Sequence, residues 1–156
     1  MTQTLETQLT ANNRLKIYKS SPELLDAMMT LSAAAAKDVE PEIAELIKIR
    51  ASQINHCAFC LNMHLGDARK HGISEQKLDI LAAWEEAGDL FSEWERAALA
   101  LTEAITEVFD GVPDDVYARA AEVFDDRELG QVIAAAVAIN AWNRINVTVR
   151  TAVPRR

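Results

Sequence analysis

Glycine and proline are scarce in this chain, five and four among 156 residues. Strand-like alternation bounded by hairpin turns appears nowhere, which argues against a β architecture. Positive charge is short too: 16 lysines and arginines face 24 aspartates and glutamates, for a net charge of −8. No basic stripe runs along any segment, and the terminal Arg155–Arg156 reads as a chain end, so no nucleic-acid partner is expected. The same balance would not draw the protein to an anionic bilayer. No apolar run looks long enough to span one, and the N-terminal "MTQTLETQLTANNRLKIYKSS" lacks the basic-then-apolar layout of a signal peptide. The expected location is the cytoplasm, with no membrane partner. Cysteine is down to two residues. In a reducing compartment these form no disulfide scaffold, so a pair three residues apart must be reactive, metal-binding or accidental.

Alanine is abundant, and alanine loses least on entering a helix. Apolar residues make up 49% and charged residues 26%, ordinary values for one globular domain of this length. The punctuation is helix punctuation. Ser21-Pro22 opens "ELLDAMMTLSAAAAK", with proline at the first helical position. Pro41 opens "EIAELIKIRASQIN", whose Ile43, Leu46, Ile47, Ala51 and Ile54 fall along one face. A third helix runs from about His56 to Lys70, stopped by His71-Gly72. Ser74 begins "SEQKLDILAAWEEAG". Ser92 with Glu95 and Asp125 with Glu128 form capping boxes for two later helices. Between them, Gly111-Val112-Pro113 breaks the chain before a short helix ending near Glu122. The prediction is an all-α bundle of about seven helices. Its last helix, roughly Arg127 to Val149, is apolar on most of its surface and suits a core or a subunit interface. Trp84, Trp94 and Trp142 read as core or interface anchors. Met28 and Met29 read as gap-fillers, and His71 as a helix C-terminal cation. Asn140, Asn143 and Asn146 form a polar strip on the last helix, expected at a subunit contact, with the lining of an active pocket as the other role.

Both cysteines and two of the three histidines fall within "INHCAFCLNMH", Ile54 to His64. On a helix at about 100° per residue, Cys57 and Cys60 are neighbours at i, i+3, and Cys60 and His64 at i, i+4, so all three side chains fall on one stripe. Phe59 and Met63 form an adjacent apolar stripe. Two thiols at C-x-x-C spacing can close a small disulfide ring with little backbone movement. A helix N-terminus lowers thiol pKa, the thiolate is the nucleophile, and a histidine one turn on can accept or donate a proton. On helix-terminus logic alone, Cys57 is the more acidic of the two. Three readings stay open: redox chemistry, inert packing, and zinc held by His56, Cys57, Cys60 and His64. Zinc fits poorly, because His56 points off the stripe and there is no second C-x-x-C. Glu45, in the preceding helix, either enters the site or pairs with Lys48 at i, i+3 in solvent.

"ELIKIRASQINHCAFCLNMH", Glu45 to His64, resembles the signature of the AhpD-like alkylhydroperoxidase group within the carboxymuconolactone decarboxylase family. That signature joins an upstream glutamate, a C-x-x-C pair and a histidine four residues after the second cysteine; here these are Glu45, Cys57, Cys60 and His64. "AINAWNRINV", Ala138 to Val147, is similar to the family's closing helix. The resemblance implies one AhpD-like domain over residues 1–156, with 1–20 and 151–156 peripheral. The fold expected is a compact multi-helix bundle with the C-x-x-C near the N-terminus of a central helix, assembled as a trimer or hexamer. It also implies a thiol peroxidase, with Cys60 attacking a peroxide, Cys57 resolving, and Glu45 with His64 relaying protons. No metal or cofactor is required. The reductant implied is a dithiol, lipoyl-bearing or thioredoxin-like. Cys57, nearer the helix start, is expected to be the more exposed sulfur and the one that meets it. One departure stands out: such sites carry a histidine just before the second cysteine, where this chain has Phe59, which cannot move protons. That departure favours, as the rival class, a redox sensor or disulfide-exchange protein with little turnover. A lyase of the decarboxylase branch would need cations for two carboxylates, and Arg50 and Arg144 are the candidates.

Overall fold

Proline at the first turn, serine or aspartate caps and apolar faces at helical spacing decide the architecture. The computed structural model describes residues 14–155; residues 1–13 and Arg156, part of the stretches expected to be peripheral, lie outside it. Among the described residues there is no strand. Eight α-helices follow in order: α1 (Ile17–Ser20), α2 (Pro22–Ala35), α3 (Pro41–Ile54), α4 (Ala58–Lys70), α5 (Glu75–Ile80), α6 (Glu93–Thr106), α7 (Asp114–Val123) and α8 (Asp126–Val149). Pro22 and Pro41 sit in the first turns of α2 and α3 as expected, although the Ser21 side chain makes no cap bond. Both capping boxes form, Ser92 with Glu95 on α6 and Asp125 with Glu128 on α8, each satisfying two free N–H groups reciprocally.

Two boundaries differ from the sequence reading. The helix opened by Ser74 stays α-helical only to Ile80, then tightens to 3₁₀ over Leu81–Glu86 with a kink at Ala83. The third helix starts at Ala58, not His56. His56 adopts φ 55°, the left-handed residue that ends α3. The Cys57 N–H then reaches back to Ser52 O at 2.9 Å and the His56 N–H to Gln53 O at 3.2 Å. This is a Schellman closure, and it makes Cys57 both the residue that seals α3 and the N-cap of α4.

Helix α3 is the spine, packing against α4, α6 and α8. Its two sides feed two cores. Ile43, Ile47 and Ala51 join Cys57, Cys60, Leu101, Leu129, Val132 and Ile139; Leu46 and Ile49 join Ile73, Leu78, Leu81, Trp84, Phe91 and Leu99. Residues that point from this helix into either core are buried, and Glu45 is buried with them. Helix α8 is, by length and composition alone, apolar enough to cross a membrane, against the sequence reading. Half of its most apolar stretch is buried against the rest of the chain. Its apolar surface is that of a core helix.

Candidate active site

The α3–α4 junction brings the reactive groups together. Cys57 has extended backbone, φ −89° and ψ 92°, so its side chain turns back over the start of α4 and accepts the Cys60 N–H at 3.4 Å. The two sulfurs are 2.6 Å apart and unbonded. A disulfide needs about 2.05 Å, so closure requires only a small shift. The Cys60 thiol donates to the Cys57 sulfur. That hydrogen bond, against burial and helped by the N–H groups of Cys60 and Phe59 and the Asn143 amide, lowers the Cys57 pKa to about 6. Cys60, the protonated partner in that hydrogen bond, is pushed the other way, by the bond to Cys57 first and then by burial. The more acidic thiol is thus Cys57, as its place at the helix start predicts.

Exposure departs from expectation. Cys57 is 2% exposed and Cys60 0%, so Cys57 is not an open sulfur. Nor do the three side chains share one helical stripe, because Cys57 lies before the helix. A cavity of about 620 Å³ opens between α1, α2, α3, α4 and α8. Cys60 lies on its wall with Glu45, Lys48 and His64, while Cys57 does not. The remaining wall is mainly apolar, with Met29, Phe59, Met63, Ile139 and Trp142. Tyr18 and Thr151, from stretches expected to be peripheral, also line it, as does His71 at the end of α4.

Glu45 does both things the sequence left open. Its Oε1 accepts from Lys48 Nζ at 2.8 Å, and its Oε2 meets His64 Nδ1 at 3.1 Å. It is not a solvated glutamate, being 5% exposed. Burial raises its pKa, but the hydrogen bonds from His64 and Lys48 outweigh this and hold the carboxyl below its ordinary value. Holding Nδ1 in this way fixes the imidazole and leaves Nε2 as its other proton-carrying atom.

The asparagine strip is internal rather than a subunit contact. Asn55 donates to the Oδ1 atoms of Asn140 and Asn143, at 2.8 and 3.0 Å, and Asn143 donates to Ser52 Oγ at 2.9 Å. Asn146 Nδ2 approaches Cys60 Sγ at 3.6 Å, fixed by Thr151 Oγ1 on its Oδ1 at 2.7 Å. Helix α8 therefore presents amide donors to the sulfur pair. The three-residue repeat was the signal for this; its target could not be read from one helix.

The other candidates are not gathered. Arg50 binds Glu103 at 2.7 Å and Gln53 at 3.1 Å, and Arg144 binds the Asn140 side chain at 2.7 Å; neither lines the cavity. The zinc set fails as a cluster, since His56 is exposed and sits on the left-handed turn. Among the described residues, the donors within mutual reach are Glu45, His64 and Asp67, within 4.8 Å of one another. The Lys48 ammonium already holds one oxygen of that Glu45.

Comparison with known proteins adds to this geometry. The profile of the carboxymuconolactone decarboxylase family matches residues 22–104. The uncharacterized protein YdfG of Bacillus subtilis (strain 168) is 40% identical over 138 residues, 87% of this chain and 93% of its own length. A crystal structure from Agrobacterium tumefaciens, of a protein of unknown function suggested to be the antioxidant defence protein AhpD, superposes with a TM-score of 0.86. It is 38% identical, over 92% of this chain and 99% of that one. The debrominase Bmp8 shares the fold alone, with a TM-score of 0.72 at 18% identity over 87% of this chain and 74% of its own.

Proposed function

Because the chain belongs to the carboxymuconolactone decarboxylase family, with an AhpD-like helical fold, we propose that it is a thiol-dependent peroxidase cycling Cys57 and Cys60 between dithiol and disulfide. One observation carries the reading. Cys60 and the Glu45–His64 pair share the wall of one apolar cavity, and the Cys57 sulfur waits 2.6 Å behind Cys60, off that wall. Access and acidity are divided between the sulfurs, and a proton moving from Cys60 to Cys57 puts the negative charge on the sulfur that lines the cavity.

The cycle balances as follows. The cycle starts from the form in which Cys57 is the thiolate, Cys60 holds the shared proton, and the His64 imidazole, held by Glu45, has a proton to give. The proton passes from Cys60 to Cys57. The Cys60 thiolate attacks the terminal oxygen of a hydroperoxide, the O–O bond breaks, and the departing alkoxide takes the proton from His64. This leaves an alcohol and a Cys60 sulfenic acid. His64 then takes the proton back from Cys57, whose sulfur displaces hydroxide from Cys60, and the hydroxide leaves as water with that proton. A dithiol, lipoyl-bearing or thioredoxin-like, reduces the 57–60 disulfide by exchange. Phe59 removes one relay group but supplies cavity wall. A cytoplasmic trimer or hexamer belongs to the same reading, and light scattering tests the assembly.

The test is mass spectrometry after one equivalent of hydroperoxide, with steady-state peroxide consumption under excess dithiol. The peptide holding both thiols should lose two hydrogens, and turnover should vanish in Cys60→Ser. A protein that leaves hydroperoxide unconsumed in both assays is no peroxidase. The burial of Cys57 supports a second reading, a redox sensor, because a reductant meets no open sulfur. Oxidation of the pair without turnover would favour it. Among the described residues, the decarboxylase branch finds no arginine on the cavity wall.

A further inference from the structure

The peroxidase cycle gives work to two sulfurs, an imidazole and a carboxylate, and leaves one buried polar atom of the cavity without any. Tyr18 on α1 lines the cavity, and its hydroxyl is buried with no hydrogen-bond partner among the described residues. Buried hydroxyls are nearly always paired, because an unpaired one gives up its bonds to water for nothing. This phenol is also held in place. Its ring packs on Trp142 at 6.2 Å between centroids, and Trp142 is fixed by its Nε1 donating to Ser32 Oγ at 2.7 Å. Burial, and then the charge Cys60 carries as a thiolate, push the Tyr18 pKa up, so the group keeps its proton and can donate it.

We propose that Tyr18 is a further catalytic residue, whose hydroxyl donates a hydrogen bond to the oxygen bearing the organic group of a hydroperoxide bound in the cavity. That oxygen is the one that leaves. As the Cys60 Sγ–O bond forms and the O–O bond breaks, the electron pair of the broken bond moves onto it, and His64 supplies its proton. Attack runs in line with the O–O bond, so the leaving oxygen emerges on the side away from Cys60. A donor on another part of the wall can meet it there beside His64, and α1 supplies one. A fixed donor aimed where negative charge develops stabilises the transition state more than the ground state. The ligand class follows from the rest of the wall: one oxygen on a bulky apolar body. The inference rests on the peroxidase reading for the identity of that oxygen.

Tyr18→Phe keeps the ring and removes only the hydroxyl. Three measurements on the full chain decide the matter. The single-turnover rate of disulfide formation with cumene hydroperoxide should fall about 10- to 100-fold, as for a hydrogen bond to a charged oxygen. Affinity for the product, cumyl alcohol, should fall about fivefold, as for a neutral hydrogen bond, while affinity for isopropylbenzene stays the same. The Tm should hold or rise, because the variant buries one unpaired group fewer. An unchanged ratio of alcohol to hydrocarbon affinity overturns the proposal, whatever happens to the rate. A lowered Tm overturns it too, by marking the hydroxyl as structural. If the wild type forms no disulfide with hydroperoxide, the peroxidase reading fails by itself, and the two affinities still decide whether Tyr18 binds a ligand oxygen.

Discussion

At the scale of single residues, the acidity of Cys57 comes from one donor more than any other. The Cys60 thiol points at it, and backbone N–H groups at the helix start add to the effect. A folded-state pKa of about 6 lies below the ordinary thiol value of about 8.5. The thiolate is therefore present at neutral pH and lost as pH falls through about 6. Far-ultraviolet thiolate absorbance of the reduced protein should titrate there, and the oxidation rate should fall about tenfold per unit at lower pH. Cys60→Ala removes the largest cause, so the midpoint should move up towards the ordinary thiol value; a midpoint that stays put would refute the assignment. Glu45→Gln keeps the shape but weakens the hold on His64. A peroxidase rate lower by about 100-fold is expected, in the range of one general acid–base group. Single-turnover kinetics check it. The sequence offered Lys48 as the partner of Glu45 and was right as far as it went. What it could not show is that α3 is buried on both sides, which turns a surface ion pair into a shared carboxylate facing His64.

At the scale of elements, helix starts and stops were legible because their signals are local. Pro22, Pro41 and both capping boxes act through bonds within a few residues. The 3₁₀ run at Leu81–Glu86 was not legible, since "LAAWEE" has ordinary helix formers; the kink at Ala83 lies between Leu81 and Trp84, both buried in the second core. The α3–α4 junction lies between these cases. His56 occupies a left-handed position without being glycine, at φ 55°. That conformation costs an L-residue about 1–2 kcal/mol, partly offset in any glycine variant by greater freedom of the unfolded chain. His56→Gly should therefore stabilise the protein by about 0.5–1 kcal/mol, a rise of about 2–4 °C in Tm at most. Calorimetry checks the shift. The peroxidase rate should stay at the wild-type value, because the exposed imidazole has no place in the cycle. A large loss of rate would show His56 standing in for the histidine that Phe59 displaces.

At the scale of the whole molecule, the cavity is what the linear sequence hides. Its wall draws on residues from Tyr18 to Thr151 and on five helices. Several of its members are alanines, including Ala44, Ala135 and Ala138, which the pattern alone would assign to tight packing. Which alanines face a neighbour and which face open space depends on how α2, α3 and α8 cross. About 620 Å³ is far more than hydrogen peroxide needs and falls within the range of sites for small organic ligands. If the cavity is the route to Cys60, filling it should discriminate by substrate size. Ala138 is buried on α8 and faces this space. Ala138→Leu places its added carbons in the opening rather than in a packed core, so the overpacking penalty of about 1–3 kcal/mol should be largely avoided and the Tm little changed. The kcat/KM for cumene hydroperoxide should drop about tenfold or more, equivalent to about 1.4 kcal/mol of lost transition-state binding. The value for hydrogen peroxide should change less than about twofold, since a small substrate keeps its path. Equal losses for both substrates, at unchanged Tm, would mean that the route to the sulfur lies elsewhere, and the apolar wall would then need another occupant.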